Sequence, residues 1–229
     1  MTKRIVLVFA KYPQPGAVKT RMVPPLTAEE AAAVHLASLL AVLDTARKLV
    51  NTGVVLQVTP DDQAGPLRAL CGDRADDCWP QGDGDLGDRL KRATERAFDT
   101  GAQRLLLLGA DSPTLTAGTL TAAFDLLDQR DAVLGPCDDG GYFLLGLRRP
   151  APSLFERIAW GGPDVAAQTR RRAADTGVDL AELPAGYDLD RLEDLSRTLR
   201  DIDRMTVPLP PSTMALRELL ESYTQRYTG

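Results

Sequence analysis

Hydrophobic residues in this chain come in short, dense runs. Arg4 to Ala10 contains IVLVFA, Val54 to Thr59 reads VVLQVT, and Leu105 to Leu108 is an unbroken run of leucine. Such runs are too short to cross a bilayer. All three read as strands, and the leucine run, lacking helical alternation and closed by turn residues, reads as one buried on both faces, as in the middle of a parallel sheet. Ala132 to Leu134 and Val178 to Leu183 are strand-like as well, and Tyr142 to Leu147 (YFLLGL) is strongly so. Between these runs the pattern changes. TAEEA from Thr27 has the form of a capping box, and the apolar spacing behind it predicts a helix to Leu49. Further helices are expected over Leu86 to Phe98, Leu115 to Leu127, Val165 to Ala174, Arg191 to Leu199 and Thr213 to Tyr227. Strands alternating with helices place the chain in the α/β class. Asp138-Asp-Gly-Gly is a tight-turn signal between two strands, so a hairpin should put one antiparallel member in the sheet. The stretch before Cys78 is poorly determined, and no internal repeat or low-complexity segment is evident.

Composition narrows the picture a little. With 229 residues, 44% hydrophobic and 26% charged, the chain is long enough for one large α/β domain and a real core. Its net charge of -5 tells against a nucleic-acid binder or a binder of anionic membranes, but not against a small anionic ligand. Cys71, Cys78 and Cys137 contain no Cys-x-x-Cys pair, so neither a disulfide framework nor a zinc site is implied. The opening MTKRIVLVFAKYP reads as a first strand rather than a signal segment, and a cytoplasmic protein is expected.

Four stretches could carry chemistry. Ser112 precedes Pro113, so the leucine strand should end at Gly109 and deliver Asp111 just past its carboxyl end, where open α/β sheets bind ligands. A carboxylate there suits a hard cation such as Mg²⁺, although a turn and helix cap would use the same residues. The loop Pro15-Gly-Ala-Val-Lys-Thr-Arg21 follows the first strand. Gly16 lets backbone approach a ligand, and Lys19 and Arg21 supply charge for phosphates, unless the loop is simply solvated. Gly82, Gly84 and Gly87 spell G-x-G-x-x-G. The segment before them is polar and broken by proline, and Asp83 and Asp85 would repel a pyrophosphate, so a dinucleotide site is not expected. In YDLDRLED, Asp190 and Glu193 have the spacing of a helix cap, while Asp188 or Asp190 could add a second carboxylate to a metal at Asp111. One of Asp138 and Asp139 could face a ligand. His35, mid-helix among alanine and leucine, reads as structural, and Arg170 to Arg172 as a solvated helix face.

Taken in order, FAKYPQPGAVKTR, GDLGDRL, GADSPTL, GPCDDGGYFLLGL and YDLDRLEDL resemble the bacterial glycosyltransferase-A-like proteins called DUF2064, of the nucleotide-diphospho-sugar transferase superfamily. The resemblance implies a single Rossmann-like GT-A domain, a three-layer α/β/α arrangement with a mixed, mostly parallel sheet. It would span residues 1–204, with 205–229 a carboxy-terminal extension ending in a helix. It also implies nucleotide phosphates at Gly16, Lys19 and Arg21, and a metal, Mg²⁺ or Mn²⁺, at Asp111 with Asp190. Gly87 would open the helix beside the nucleoside, and Asp139 would line the acceptor side. Where many glycosyltransferases carry Asp-x-Asp, this chain has Asp111-Ser112-Pro113, with one carboxylate.

The expected activity is Mg²⁺-assisted transfer from an activated nucleotide, foremost a nucleotide sugar, to a small-molecule acceptor, without nucleic acid or membrane insertion. Asp139 is counted with Asp111, Lys19 and Arg21 among the reacting-site residues. The rivals are nucleotidyl transfer with pyrophosphate release, as in phospholactate guanylyltransferases, which the family also resembles, and a nucleotide-binding protein without catalysis. Asp111→Ala is expected to abolish activity and leave folding intact.

Overall fold

In a computed structural model, which describes residues 3–227, the buried runs assemble into one mixed sheet. Its strands are β1 (Arg4–Lys11), β2 (Thr52–Thr59), β3 (Asp77–Pro80), β4 (Arg104–Gly109), β5 (Ala132–Pro136), β6 (Tyr142–Leu147) and β7 (Leu180–Glu182). They lie in the order β3-β2-β1-β4-β6-β5-β7. β1 to β4 run parallel, β6 is antiparallel to both β4 and β5, and β7 is parallel to β5. The hairpin expected from Asp-Asp-Gly-Gly therefore does supply the one reversed strand.

The leucine run of β4 explains why the sheet has helices on both faces. Leu106 and Leu108 enter one hydrophobic cluster, and Leu105 and Leu107 enter another, all at most 2% exposed. Successive residues of a strand point to opposite sides, so a run without polar alternation must be covered twice. One side is covered by α1 (Ala28–Arg47), α2 (Ala64–Cys71) and α4 (Ala117–Leu126), the other by α3 (Leu86–Asp99) and α5 (Val165–Thr176). α6 (Leu192–Asp203) and α7 (Pro211–Tyr227) form a third cluster with the outer side of α1, where Leu195, Ile202, Leu216 and Leu220 are fully buried.

Two local readings need correction. β3 forms from the polar, proline-broken segment before G-x-G-x-x-G; it is an edge strand that buries only Trp79, so it shows no dense apolar run. The cap of α6 is not Asp190 with Glu193. Asp194 accepts from the backbone N–H groups of Asp190 (2.9 Å) and Arg191 (2.7 Å), which releases the Asp190 side chain for other contacts.

The chain leaves β1 in one direction to build β2 and β3, then crosses back to place β4 on the other side of β1. This reversal opens a crevice over the carboxyl ends of β1 and β4, the switch point at which doubly wound sheets bind ligands.

Candidate functional site

The crevice is a cleft of about 690 Å³. Its walls are the ends of β1 and β4, the loop that follows β1, the start of α3, and Asp190. Lys19, Arg21, Asp111 and Asp190, which lie far apart in the chain, all line it.

Each is set there by a buried neighbour. The loop after β1 turns at Gly16, whose φ of +80° is unfavourable for a side-chain-bearing residue. It then forms one 3₁₀ turn, Thr20–Met22, with Met22 fully buried in the third cluster beside Leu26 and Leu189. Met22 acts as the anchor from which Lys19 and Arg21 reach the cleft. Ala110 and Asp111 are held from two sides: Ser38 of α1 donates to the Ala110 carbonyl (2.7 Å), and the Leu189 N–H donates to the Asp111 carbonyl (2.8 Å). Leu189 is fully buried, and of the carboxylates on either side of it Asp188 reaches the segment after β4 while Asp190 reaches the loop after β1. Asp188 accepts from the Ser112 hydroxyl at 2.5 Å, and Asp190 pairs with Arg21 at 2.7 Å.

At the centre is the Lys19 ammonium. It forms an ion pair with Asp111 and stands 3.8 Å from Asp190. The Lys19 side chain is 2% exposed, whereas that of Asp111 is 39% exposed and open to the cleft. Burial alone would raise the Asp111 pKa, but the Lys19 charge and the nearby His35 outweigh it and hold the carboxyl well below the usual range. Asp188 goes the other way, pushed up to about 6 by burial and by the charges of Asp111 and Asp139, against the Ser112 hydrogen bond. The two carboxyl groups are therefore shifted in opposite directions although one backbone hydrogen bond ties their segments together.

Several residues reach the cleft without having stood out in the sequence. His35, which reads there as structural, places Nδ1 3.6 Å from Asp111 while Nε2 contacts the Lys11 carbonyl at 3.0 Å. His35 and Ser38 are three apart on α1, so they share a face. Arg89 braces the glycine-rich loop through the Gly84 carbonyl (3.1 Å), Thr59 (3.2 Å) and Gln81 (3.4 Å), and all four residues line the cleft. Gly87 does not line it. A Cβ there would come within 2.5 Å of Trp160 Nε1 and 2.8 Å of the Phe155 carbonyl, so this glycine lets α3 pack closely against the segment before α5. Asp139 lies at the tip of the β5–β6 hairpin, outside the cleft lining, where its carboxylate accepts from the Gly141 N–H at 2.9 Å.

Among the described residues no group of three or more His, Cys, Asp or Glu side chains is placed to hold a metal, and no helix is long and apolar enough to cross a membrane.

Comparison with known proteins agrees with this architecture. A Desulfovibrio desulfuricans G20 protein, provisionally named a nucleotide-diphospho-sugar transferase, superposes with a TM-score of 0.87 at 30% identity, covering 97% of this chain and 99% of that one. A cytidylyltransferase from Leptospira borgpetersenii shares the fold at a TM-score of 0.59 and 16% identity, covering 98% and 96% of the two chains. A curated relative, phosphoenolpyruvate guanylyltransferase from Chloroflexus aggregans, is 35% identical over 72 residues, only 31% of this chain and 36% of that protein. These relatives are named as transferases, and the superposition along nearly the whole chain shows that the fold is shared with the Desulfovibrio desulfuricans protein. Residues 42–162 match the model of an uncharacterized protein family conserved in bacteria, and with over half its length matched the chain belongs to that family, DUF2064.

Proposed function

We propose that the protein transfers a glycosyl group from a nucleotide sugar to a small-molecule acceptor, with the donor's diphosphate lying in the cleft over β1 and β4. The observation that carries this reading is the meeting of Lys19 and Arg21 with Asp111 and Asp190 at the switch point of the sheet. In the transfer, the bond from the anomeric carbon to the diphosphate breaks, a bond to the acceptor oxygen forms, and the acceptor loses a proton. Charge grows on the departing diphosphate. Lys19 and Arg21 are the preorganised donors for that charge, and the backbone at Gly16 lets the loop close on it. Asp139, at the hairpin tip beyond Asp188, is assigned to the acceptor side.

The donor set suits a hard cation. Mg²⁺ keeps most of its shell as water and phosphate oxygen and takes one or two protein carboxylates, which Asp111 and Asp190 would supply. When bound, such a metal would neutralise charge on the leaving diphosphate. Asp111 is kept ionised for this role by Lys19 and His35.

Choosing the sugar as the transferred group follows the Desulfovibrio desulfuricans protein, which is 30% identical over 97% of the chain, whereas the cytidylyltransferase that aligns as fully does so at 16%. A second reading, nucleotidyl transfer with pyrophosphate release, is favoured by the shorter match to phosphoenolpyruvate guanylyltransferase. A thermal-shift screen of nucleotide sugars and nucleoside triphosphates, with Mg²⁺ and with EDTA, tests both, because a ligand of the native state raises its melting point. Stabilisation by a nucleotide sugar followed by nucleoside diphosphate release supports the first reading. Pyrophosphate release supports the second. Nucleotide binding that ignores EDTA would point to a protein without metal-assisted catalysis.

A further inference from the structure

Lys19 is built unlike a lysine whose only task is to meet phosphate from solution. Its backbone sits in the left-handed region (φ 48°, ψ 35°), which a residue with a side chain adopts at a cost. Its side chain is 2% exposed, and its ammonium lies against Asp111 with Asp190 at 3.8 Å. These are the two carboxylates to which the proposed function gives the metal. The oxygen of Asp111 that faces Lys19 is also the one nearest His35, whose Nδ1 stands 3.6 Å away.

We propose that Lys19 is a tethered cation that keeps a divalent metal off Asp111 and Asp190 until a phosphate-bearing ligand draws the ammonium away. Metal and nucleotide then bind as a coupled pair. The inference rests on the reading of the cleft as a metal- and diphosphate-binding site. The physical reason is that two cations cannot share one partly buried carboxylate pair without strong repulsion, because the medium there screens charge less than water does. A diphosphate offers the ammonium replacement oxygens of equal or greater charge, and the same displacement frees the carboxylates.

Arg21 cannot act this way. Its side chain is 59% exposed and, among the described residues, its ion-pair partner is Asp190, through Oδ2, whereas Lys19 faces Oδ1. Arg21 thus provides the control. Both remove one positive charge, but only Lys19→Met removes the one buried at Asp111.

The test is titration of the full-length protein with Mn²⁺ alone, followed by calorimetry and by the electron paramagnetic resonance of free Mn²⁺. Lys19→Met should bind Mn²⁺ at least about tenfold more tightly than the unmutated chain, within the usual range of coupling between ligands. Arg21→Met should change that affinity far less. An unchanged Mn²⁺ affinity in a folded Lys19→Met protein overturns the inference. The parent reading is judged separately, by whether nucleoside diphosphates with Mn²⁺ stabilise the unmutated chain. If none of them does, that reading fails and the inference with it; if one does while Lys19→Met leaves metal affinity unchanged, only the inference fails. Should Lys19→Met not fold, ¹⁵N-lysine spectra of the unmutated protein decide. The buried ammonium resonance should persist in millimolar Mg²⁺ and shift only when a nucleoside diphosphate is added with it. A shift with Mg²⁺ alone would contradict the proposal.

Discussion

Replacing Asp111 by alanine removes a carboxylate from the cleft and leaves the Lys19 ammonium, whose side chain is 2% exposed, with Asp190 at 3.8 Å. From sequence, this variant is expected to lose activity and keep its fold. The burial of Lys19 changes the second half of that expectation. Activity should fall by about a hundredfold or more, the usual effect of losing a preorganised charge contact. Stability should fall too, by roughly 1–3 kcal/mol, below the cost of breaking a fully buried pair because Asp111 itself is 39% exposed. Steady-state kinetics and a denaturant titration of Asp111→Ala check the two halves. His35→Phe keeps the bulk of the ring but loses the contacts to Asp111 and the Lys11 carbonyl. It should lower kcat/KM by about tenfold to a hundredfold, as loss of an outer-shell support does. Near-UV circular dichroism should remain native, and full activity in His35→Phe would show that the ring does not position Asp111. The lone histidine was not legible as a site residue because its meaning comes from Lys11 and Asp111, both remote in sequence.

At the scale of elements, the dense apolar runs were readable because burial on both faces leaves its mark in every residue of a strand. β4 is the clearest case, and its end at Gly109 follows from Ser112-Pro113. β3 was not readable, since an edge strand buries one side chain in four and can carry a proline. Glycines in the strand-to-helix connections were visible, but their reasons were not. Gly87 looks in sequence like part of a phosphate fingerprint, yet a Cβ there would strike Trp160 and the Phe155 carbonyl. Gly87→Ala should therefore destabilise the protein by about 1–3 kcal/mol as α3 is pushed outward. At Gly140, φ is +88° and a Cβ would fall 1.6 Å from the Pro163 carbonyl oxygen, while the Gly140 carbonyl accepts from Ala166 N–H at 2.9 Å. Gly140→Ala should cost about 3 kcal/mol or more, strain and overpacking acting together. Thermal melts of the two variants should rank Gly140→Ala below Gly87→Ala, and the reverse order would mean that the hairpin tip yields more readily than the helix.

The molecule is held by two clusters on the faces of its sheet and a third between helices, and two buried thiols, Cys71 and Cys137, report on the first of them. Cys71 is pushed up to about 12 by burial, from an ordinary value of 9.0, and burial raises Cys137 further. A thiol that ionises less readily when folded favours the native state most while the unfolded thiol is also protonated. Its contribution declines as pH rises past about 9, because the unfolded chain then releases protons that the native one retains. The melting temperature should drop between about pH 9 and pH 12, and Cys71→Ala should flatten part of that slope. At pH 8 the native thiols should resist Ellman's reagent and react fully in guanidinium. The α/β class, the central strand, the reversed hairpin and the candidate phosphate loop were determined by the sequence alone, because each is written in a run of neighbouring residues whose burial or turn chemistry is local. Tertiary structure decided the rest. Only the parallel pairing of β1 with β4 brings Lys19 to Asp111, only the buried Leu189 swings Asp190 round to Arg21, and only α1 lends His35 to the same carboxylate. Charge pairing across such distances depends on where the backbone travels, and no window of sequence contains both partners.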